Sequence, residues 1–214
     1  HTDGSGGVFF TDSGVFMKGA PATGKVFHIA ETGRVSKMID NLQYANGIAY
    51  DASSRRLLVS EHLARKVWQY RLGADRSIVD SSVFLDVSKH FKPAEIDFRE
   101  TGPDGIEIDK DGRSVWVGER CGANGCWDAA KGVMSPLPSV LKFDPSGALV
   151  TSFGAGMIVF AHGIHVDRDG NVWVTDGQDN MPRPARGAAA GAPLGPPPAK
   201  PVGHQVFKFS PDGK

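Results

Sequence analysis

Three times along the chain the same pattern returns: a polar residue and a glycine, an alternating apolar run, a turn, and a second run that ends on an acid. The first copy reads Asn46-Gly47-Ile48-Ala49-Tyr50-Asp51 and then Leu57-Leu58-Val59-Ser60-Glu61. The second reads Asp104-Gly105-Ile106-Glu107-Ile108-Asp109 and then Val115-Trp116-Val117-Gly118-Glu119. The third reads His162-Gly163-Ile164-His165-Val166-Asp167 and then Val172-Trp173-Val174-Thr175-Asp176. Alternating runs about a turn such as Asp111-Gly112 predict a tight β-hairpin. Asn46, Asp104 and His162 stand 58 residues apart both times. A fixed period of that length, with short strands and Gly-rich turns, is the mark of a β-propeller blade.

The rest of the chain falls into the same frame. Val8–Asp12 matches the second run, with Asp12 in the position of the terminal acids, so the first unit lacks its innermost strand. Lys25–Ile29 and Val35–Ile39 complete that unit around Glu31-Thr32-Gly33. The second unit adds strands at Lys66–Leu72 and Ser82–Val87, and Ser88–Thr101 forms a charged connector. The third unit adds Val140–Phe143 and Leu149–Phe153 about Pro145-Ser146-Gly147, and the fourth adds Gln205–Phe209. The expected architecture is all-β: one β-propeller domain over residues 1–214 with about four blades, the first and last incomplete, a portion of a six-bladed ring. Open ends of such an arc expose strands and predict self-association. Residues 177–203, with Arg183, Arg186, an alanine run and Pro196-Pro197-Pro198, read as a disordered insertion, because such a composition buries too little apolar surface to order itself.

With 214 residues, 40% of them hydrophobic, the chain can bury a sizeable core. Lysine plus arginine equals aspartate plus glutamate at 24 each, so no net field favours nucleic acid or an anionic membrane. The longest apolar stretch, Ala155–Ala161, is too short to span a bilayer, and no signal peptide precedes His1, although a leader could have been removed. Cys121 and Cys126 are close enough to form a small disulfide loop, which implies an oxidising compartment (secreted or periplasmic), or else they are two free thiols.

Blade strands alternate in direction, which places the start of the first strand, the end of the second and the second-to-third loop on one face. Asn46, Asp104 and His162 therefore share a mouth with Glu61, Glu119, Asp176 and the loops 120–138 and 177–203. Amide oxygen, carboxylate and imidazole together suit a divalent metal: calcium by the oxygens, with zinc or manganese as the imidazole's alternative. The plainer reading makes each a turn residue before a glycine chosen for backbone freedom. The strand-end acids have two readings as well, hydrogen bonding to neighbouring-blade backbone or, for Glu61 and Glu119, service as catalytic bases. Asp109-Lys110-Asp111-Gly112 and Asp167-Arg168-Asp169-Gly170 are hairpin turns and not EF-hands, because Arg120 and Gln178 stand where the loop's glutamate is required. His28, His165 and His204 read as satisfied surface histidines. No Gly-x-Ser-x-Gly elbow, P-loop or dinucleotide fingerprint is present.

Val26-Phe27-His28-Ile29, Tyr44-Ala45-Asn46-Gly47-Ile48-Ala49, Val67-Trp68-Gln69-Tyr70 and Gly102-Pro103-Asp104-Gly105-Ile106 resemble the senescence-marker-protein, gluconolactonase and luciferin-regenerating-enzyme family of six-bladed propellers, over roughly His1 to Gly112. That resemblance implies a metal-dependent lactone or ester hydrolase acting on a small molecule. Asn46 and Asp104 are its metal ligands, and the family's third ligand, a glutamate, has no counterpart here. From about Val115 the chain is similar to NHL-repeat propellers, including peptidyl-hydroxyglycine amidating lyases, in Leu141-Lys142-Phe143-Asp144-Pro145, Phe160-Ala161-His162-Gly163-Ile164, Asn171–Asp176 and His204–Phe209. This second likeness implies zinc at His162 and a catalytic Arg120. A non-catalytic propeller that binds a partner through its face is the alternative to both enzymes.

Overall fold

The computed structural model describes residues 1–17, 19–90, 102–122, 124–184 and 189–214. Most of the expected connector 88–101, and Arg186 of the insertion, lie outside the described residues. Four antiparallel sheets follow one another along the chain. The first holds β1 (Val8–Asp12), β2 (Gly24–Ile29) and β3 (Val35–Leu42); the second holds β4 (Ala45–Asp51), β5 (Arg56–Glu61), β6 (Lys66–Leu72) and β7 (Ile78–Asp86). After β8 (Pro103–Ile108) and β9 (Val115–Glu119), the chain makes a small hairpin of β10 (Trp127–Asp128) and β11 (Val133–Met134). It then completes the third sheet with β12 (Val140–Phe143) and β13 (Leu149–Phe153). The fourth sheet is β14 (Ala161–Val166), β15 (Val172–Asp176) and β16 (Val206–Phe209). All fourteen strands read from the sequence are present, and the β10–β11 hairpin is additional. Among the described residues no helix is long and apolar enough to cross a membrane.

Burial explains the order of the sheets. On β5, Leu57 and Val59 enter the core shared with the first sheet, while Leu58 enters the core shared with the third. On β9, Val115 and Val117 face the second sheet and Trp116 faces the fourth. A strand packed on both faces must be apolar without interruption, which is why these segments read Leu-Leu-Val and Val-Trp-Val. The end sheets lose that symmetry. Phe9 is fully buried between Val8 and Phe10, which are 39% and 36% exposed, and Val172 and Val174 are buried around a Trp173 that is 37% exposed.

The second, third and fourth blades repeat one turn chemistry. Asp51, Asp75, Asp111, Asp144 and Asp167 each accept backbone N–H groups two to four residues ahead, closing the hairpins as aspartate-capped turns. The two stretches that imitate calcium loops are such turns, with Gly112 and Gly170 at φ of 69° and 88°. Blades three and four repeat a further unit: the Trp116 indole donates to Asp109 at 2.9 Å with Lys142 over the ring, and Trp173 donates to Asp167 at 3.0 Å with Lys208 over the ring.

Two expectations change. His28 is not a surface residue: it is 6% exposed, stacks on Phe9, and meets the buried Asp3 at 2.8 Å. Arg76 of the second sheet reaches the same Asp3 carboxylate at 2.6 Å, joining the first two blades on the face away from the mouth. The ends of the insertion are tied together, because the buried Asn180 donates to Lys200 O at 3.0 Å and accepts from Val202 N at 2.9 Å. Cys121 and Cys126 form a disulfide with their Cα atoms 5.1 Å apart.

Candidate functional site

The three leading polar residues sit at a shared irregularity. In β4–β5, β8–β9 and β14–β15 the register shifts between Ala45 and Ile48, between Pro103 and Ile106, and between Ala161 and Ile164. Asn46-Gly47, Asp104-Gly105 and His162-Gly163 therefore form three equivalent bulges, a device that lifts a side chain out of the ladder and re-aims it. Gly47 and Gly105 are required by close backbone approach, Gly163 meets only the Thr175 side chain, and none of the three has a positive φ. A Cβ on Gly47 would lie 2.3 Å from Asp104 O, and one on Gly105 would lie 2.2 Å from His162 O. Hydroxyls clasp the same seam. Thr11 donates to Asn46 O at 2.7 Å and Ser60 donates to Asp104 O at 2.8 Å, each hydroxyl standing one residue before a strand-end acid.

Asp104 is the centre of the arrangement. It is 2% exposed, accepts a hydrogen bond from Arg120, and has Asn46 and His162 beside it, both favouring its charged form. Burial is the strongest influence on its carboxyl and raises it above the ordinary range, against the opposing pull of those three neighbours. Arg120, 5% exposed, has its guanidinium carbon 3.8 Å above the Phe160 ring and donates from Nη1 to Asn124 at 2.6 Å. Its Nε is buried with no hydrogen-bond partner among the described residues. Phe160 also stacks on His162, with ring centroids 5.9 Å apart, and His162 is exposed. The disulfide and the bond from Cys126 N to Val159 O at 2.6 Å hold the loop that carries Arg120 against the approach to β14.

The strand-end acids hold backbone. Both oxygens of Glu61 are engaged at 2.6 Å, one by Gln43 N and the other by the Trp68 indole. Asp176 accepts from Val159 N at 2.9 Å and Phe160 N at 2.8 Å. Glu119, fully buried, accepts from Gly122 N at 3.1 Å, while Glu61 and Asp176 secure the stretches that lead from the preceding sheet into the first strand of their own. Glu61 and Glu119 are thus placed as anchors of the mouth, which does not favour the base role read for them from the sequence.

Of the expected metal ligands, Asn46 and His162 lie beside Asp104, but Arg120 was not foreseen on that carboxylate. Calcium takes six to eight oxygens and structural zinc four ligands. The described set offers one amide, one carboxylate and one imidazole, and the single formal charge is already matched by a buried guanidinium. Among the described residues no three His, Cys, Asp or Glu side chains converge. With Arg120 in place these residues do not fit a resident divalent metal. Sequence reasoning also missed Phe160 and the buried His62, whose ring accompanies Phe16 and Tyr44 and meets Pro103 O at 3.1 Å. The Phe160-Ala161-His162 spacing, which puts two rings on one side of a strand, was the available signal for the first.

The profile of the family described as SMP-30/Gluconolactonase/LRE-like region matches residues 1–156, extending past Gly112 where the resemblance in the sequence was drawn. No curated protein matches significantly. Among solved structures, a luciferin-regenerating enzyme superposes with a TM-score of 0.59 at 19% identity, over 80% of this chain and 50% of that one. Regucalcin of Agrobacterium tumefaciens, a calcium-binding protein, gives 0.57 at 17% identity over 80% and 50%. A gluconolactonase of Xanthomonas campestris gives 0.56 at 20% identity over 81% and 51%. At these identities the likeness shows the fold, and this chain spans about half the length of each of those proteins.

Proposed function

The chain belongs to the SMP-30/gluconolactonase/LRE-like family, and from that premise we propose that it hydrolyses a lactone or related ester at the mouth formed by the three bulges. The observation that carries this reading is the buried Asp104–Arg120 pair flanked by Asn46 and an exposed imidazole, His162. Ester hydrolysis needs a fixed positive charge where the carbonyl oxygen becomes an oxyanion, and a base for the attacking water. Arg120 answers the first need. Its guanidinium stays charged, and an orphaned buried N–H costs about 1–3 kcal/mol until an acceptor reaches it.

His162 answers the second, because it is the imidazole of the group that solvent reaches. In the proposed step the water oxygen adds to the carbonyl carbon while its proton passes to the imidazole. Collapse of the tetrahedral species breaks the ring C–O bond, and the imidazolium returns the proton to the departing alkoxide, leaving a hydroxy acid. Asp104 fixes the direction of Arg120 and offsets the charge that develops on His162, with Asn46 favouring its ionised form.

The test is turnover of δ-valerolactone and glucono-1,5-lactone by chelator-treated protein. Arg120→Ala should lower kcat/KM by about 10²-fold or more and His162→Ala by about 10²–10⁴-fold. Turnover indifferent to both substitutions would remove the assignment. The same convergence of Arg120 and His162 favours one second reading, a lyase acting on peptidyl-hydroxyglycine, and cleavage of that substrate with no lactone opened would select it.

A further inference from the structure

The guanidinium on which the proposed step depends is enclosed. Arg120 is 5% exposed: its guanidinium carbon lies 3.8 Å from the centre of the Phe160 ring, Nη2 donates to Asp104, Nη1 donates to Asn124 Oδ1 at 2.6 Å, and Nε is buried. Phe160 and Asp104 are 8% and 2% exposed, so neither leaves the arginine without opening packed structure. Asn124 differs, because it is only partly buried and lies on the loop between β9 and β10. Of the three groups on the guanidinium, it is the one with solvent to turn into.

What Asn124 presents to Arg120 is an amide carbonyl oxygen, the neutral acceptor nearest in kind to the carbonyl of an ester. An oxyanion, with its full charge, is a far better partner for a guanidinium than any neutral oxygen. An ester carbonyl therefore gains little by replacing the amide, and the oxyanion that follows gains much. The exchange needs no movement of the loop. Gly122 N is bonded to Glu119 at 3.1 Å, Cys126 N is bonded to Val159 O at 2.6 Å, and the Cys121–Cys126 link closes the segment. The backbone that carries Asn124 is thus held at both ends, while the side chain keeps its own rotamers.

We propose that Asn124 is a placeholder on Arg120: in the free protein its amide oxygen occupies the position that the substrate's carbonyl oxygen takes on Nη1, and the side chain turns aside as the oxyanion forms. Its role is selectivity, since a molecule without an oxygen able to replace the amide does not reach the charge. The identity of the incoming oxygen, that of a lactone or ester, rests on the hydrolase reading; the covering of Arg120 by Asn124 does not. Asn124 takes no part in bond breaking.

Two substitutions with opposite expected signs decide it. Asn124→Ala removes the placeholder, and kcat/KM for δ-valerolactone should rise by about threefold or more. Asn124→Asp keeps the shape and places a full charge on the arginine, so kcat/KM should fall by about tenfold or more. A second measurement needs no turnover. Modification of Arg120 by phenylglyoxal, followed by mass spectrometry of the peptide that contains it, should run faster than wild type in Asn124→Ala and slower in Asn124→Asp. A supporting role for Asn124, structural or in aiming Arg120, predicts a lower kcat/KM in Asn124→Ala. That result, or equal labelling of Arg120 in all three proteins, overturns the proposal. Labelling that follows the order alanine, asparagine, aspartate while none of the three opens a lactone upholds the placeholder and removes the hydrolase reading instead.

Discussion

Asp104 carries two claims on one carboxylate, since the family resemblance gives it to a metal and the structure gives it to Arg120. Coulomb repulsion decides whether both can hold. A dication about 5 Å from a guanidinium, at an effective dielectric of about 20, is opposed by several kcal/mol. The expectation is weak binding of calcium, manganese and zinc to the wild type by calorimetric titration. Affinity should rise at least tenfold in Arg120→Gln and disappear when Asp104→Ala is added. Tight binding in the wild type that Asp104→Ala alone abolishes would restore the metal reading and displace Arg120 from its role. Much of this site was legible in the sequence, because a constant spacing of polar residues before glycine survives any detail of packing. Arg120 was legible only as a name. Its placement depends on a loop whose path is set by the Cys121–Cys126 link and by the bond from Cys126 N to Val159 O, and no local periodicity encodes either.

At the scale of strands, two-sided burial made β5 and β9 readable, whereas β10 and β11, two residues each, are too short to show any alternation. The bulges were hidden for another reason. A glycine after a polar residue looks the same in sequence whether it supplies a turn or makes room for a carbonyl, and only the neighbouring inner strand, 58 residues away, distinguishes the two. Because the bulges belong to the blades and Arg120 belongs to the loop, they should respond differently to reduction. Opening a disulfide loop this small costs about 2 kcal/mol by the chain-entropy estimate. Most of that loss falls on the loop. Hydrogen exchange should therefore accelerate at residues 120–126 on reduction while β5 and β9, buried on both faces, stay protected. Exchange that rises equally in β9 would mean that the link supports the whole blade. Two titratable thiols in unreduced protein would mean that the link is absent.

Among the described residues, three interfaces between four sheets leave one face of the first sheet and one face of the fourth uncovered. The outer face of the first blade exposes Val8, Phe10 and Val35, 39%, 36% and 56% exposed, with Phe10 stacked on Phe27 at 5.3 Å and the exposed Lys37 paired in register with Phe27 on the same side. The outer face of the fourth blade mixes Trp173 and Val206, 37% and 64% exposed, with Lys208, paired in register with Trp173 on the same side. An exposed sheet face rich in apolar side chains favours association, and for this chain we propose head-to-tail contact between the two faces, which closes into a ring or continues as a filament. The average mass in light scattering should thus rise with concentration. Phe10→Asp should hold the protein monomeric, because the new charge would be buried unpaired in the contact. The same charge stays solvated in the free chain, so the melting temperature should change little. Asp176→Asn is the contrasting substitution. It disturbs a buried carboxylate that holds Val159 N and Phe160 N, and should lower stability without altering association. A mass that stays monomeric across a hundredfold range of wild-type concentration would show that these faces are tolerated in water, and Phe10→Asp would then have nothing to prevent.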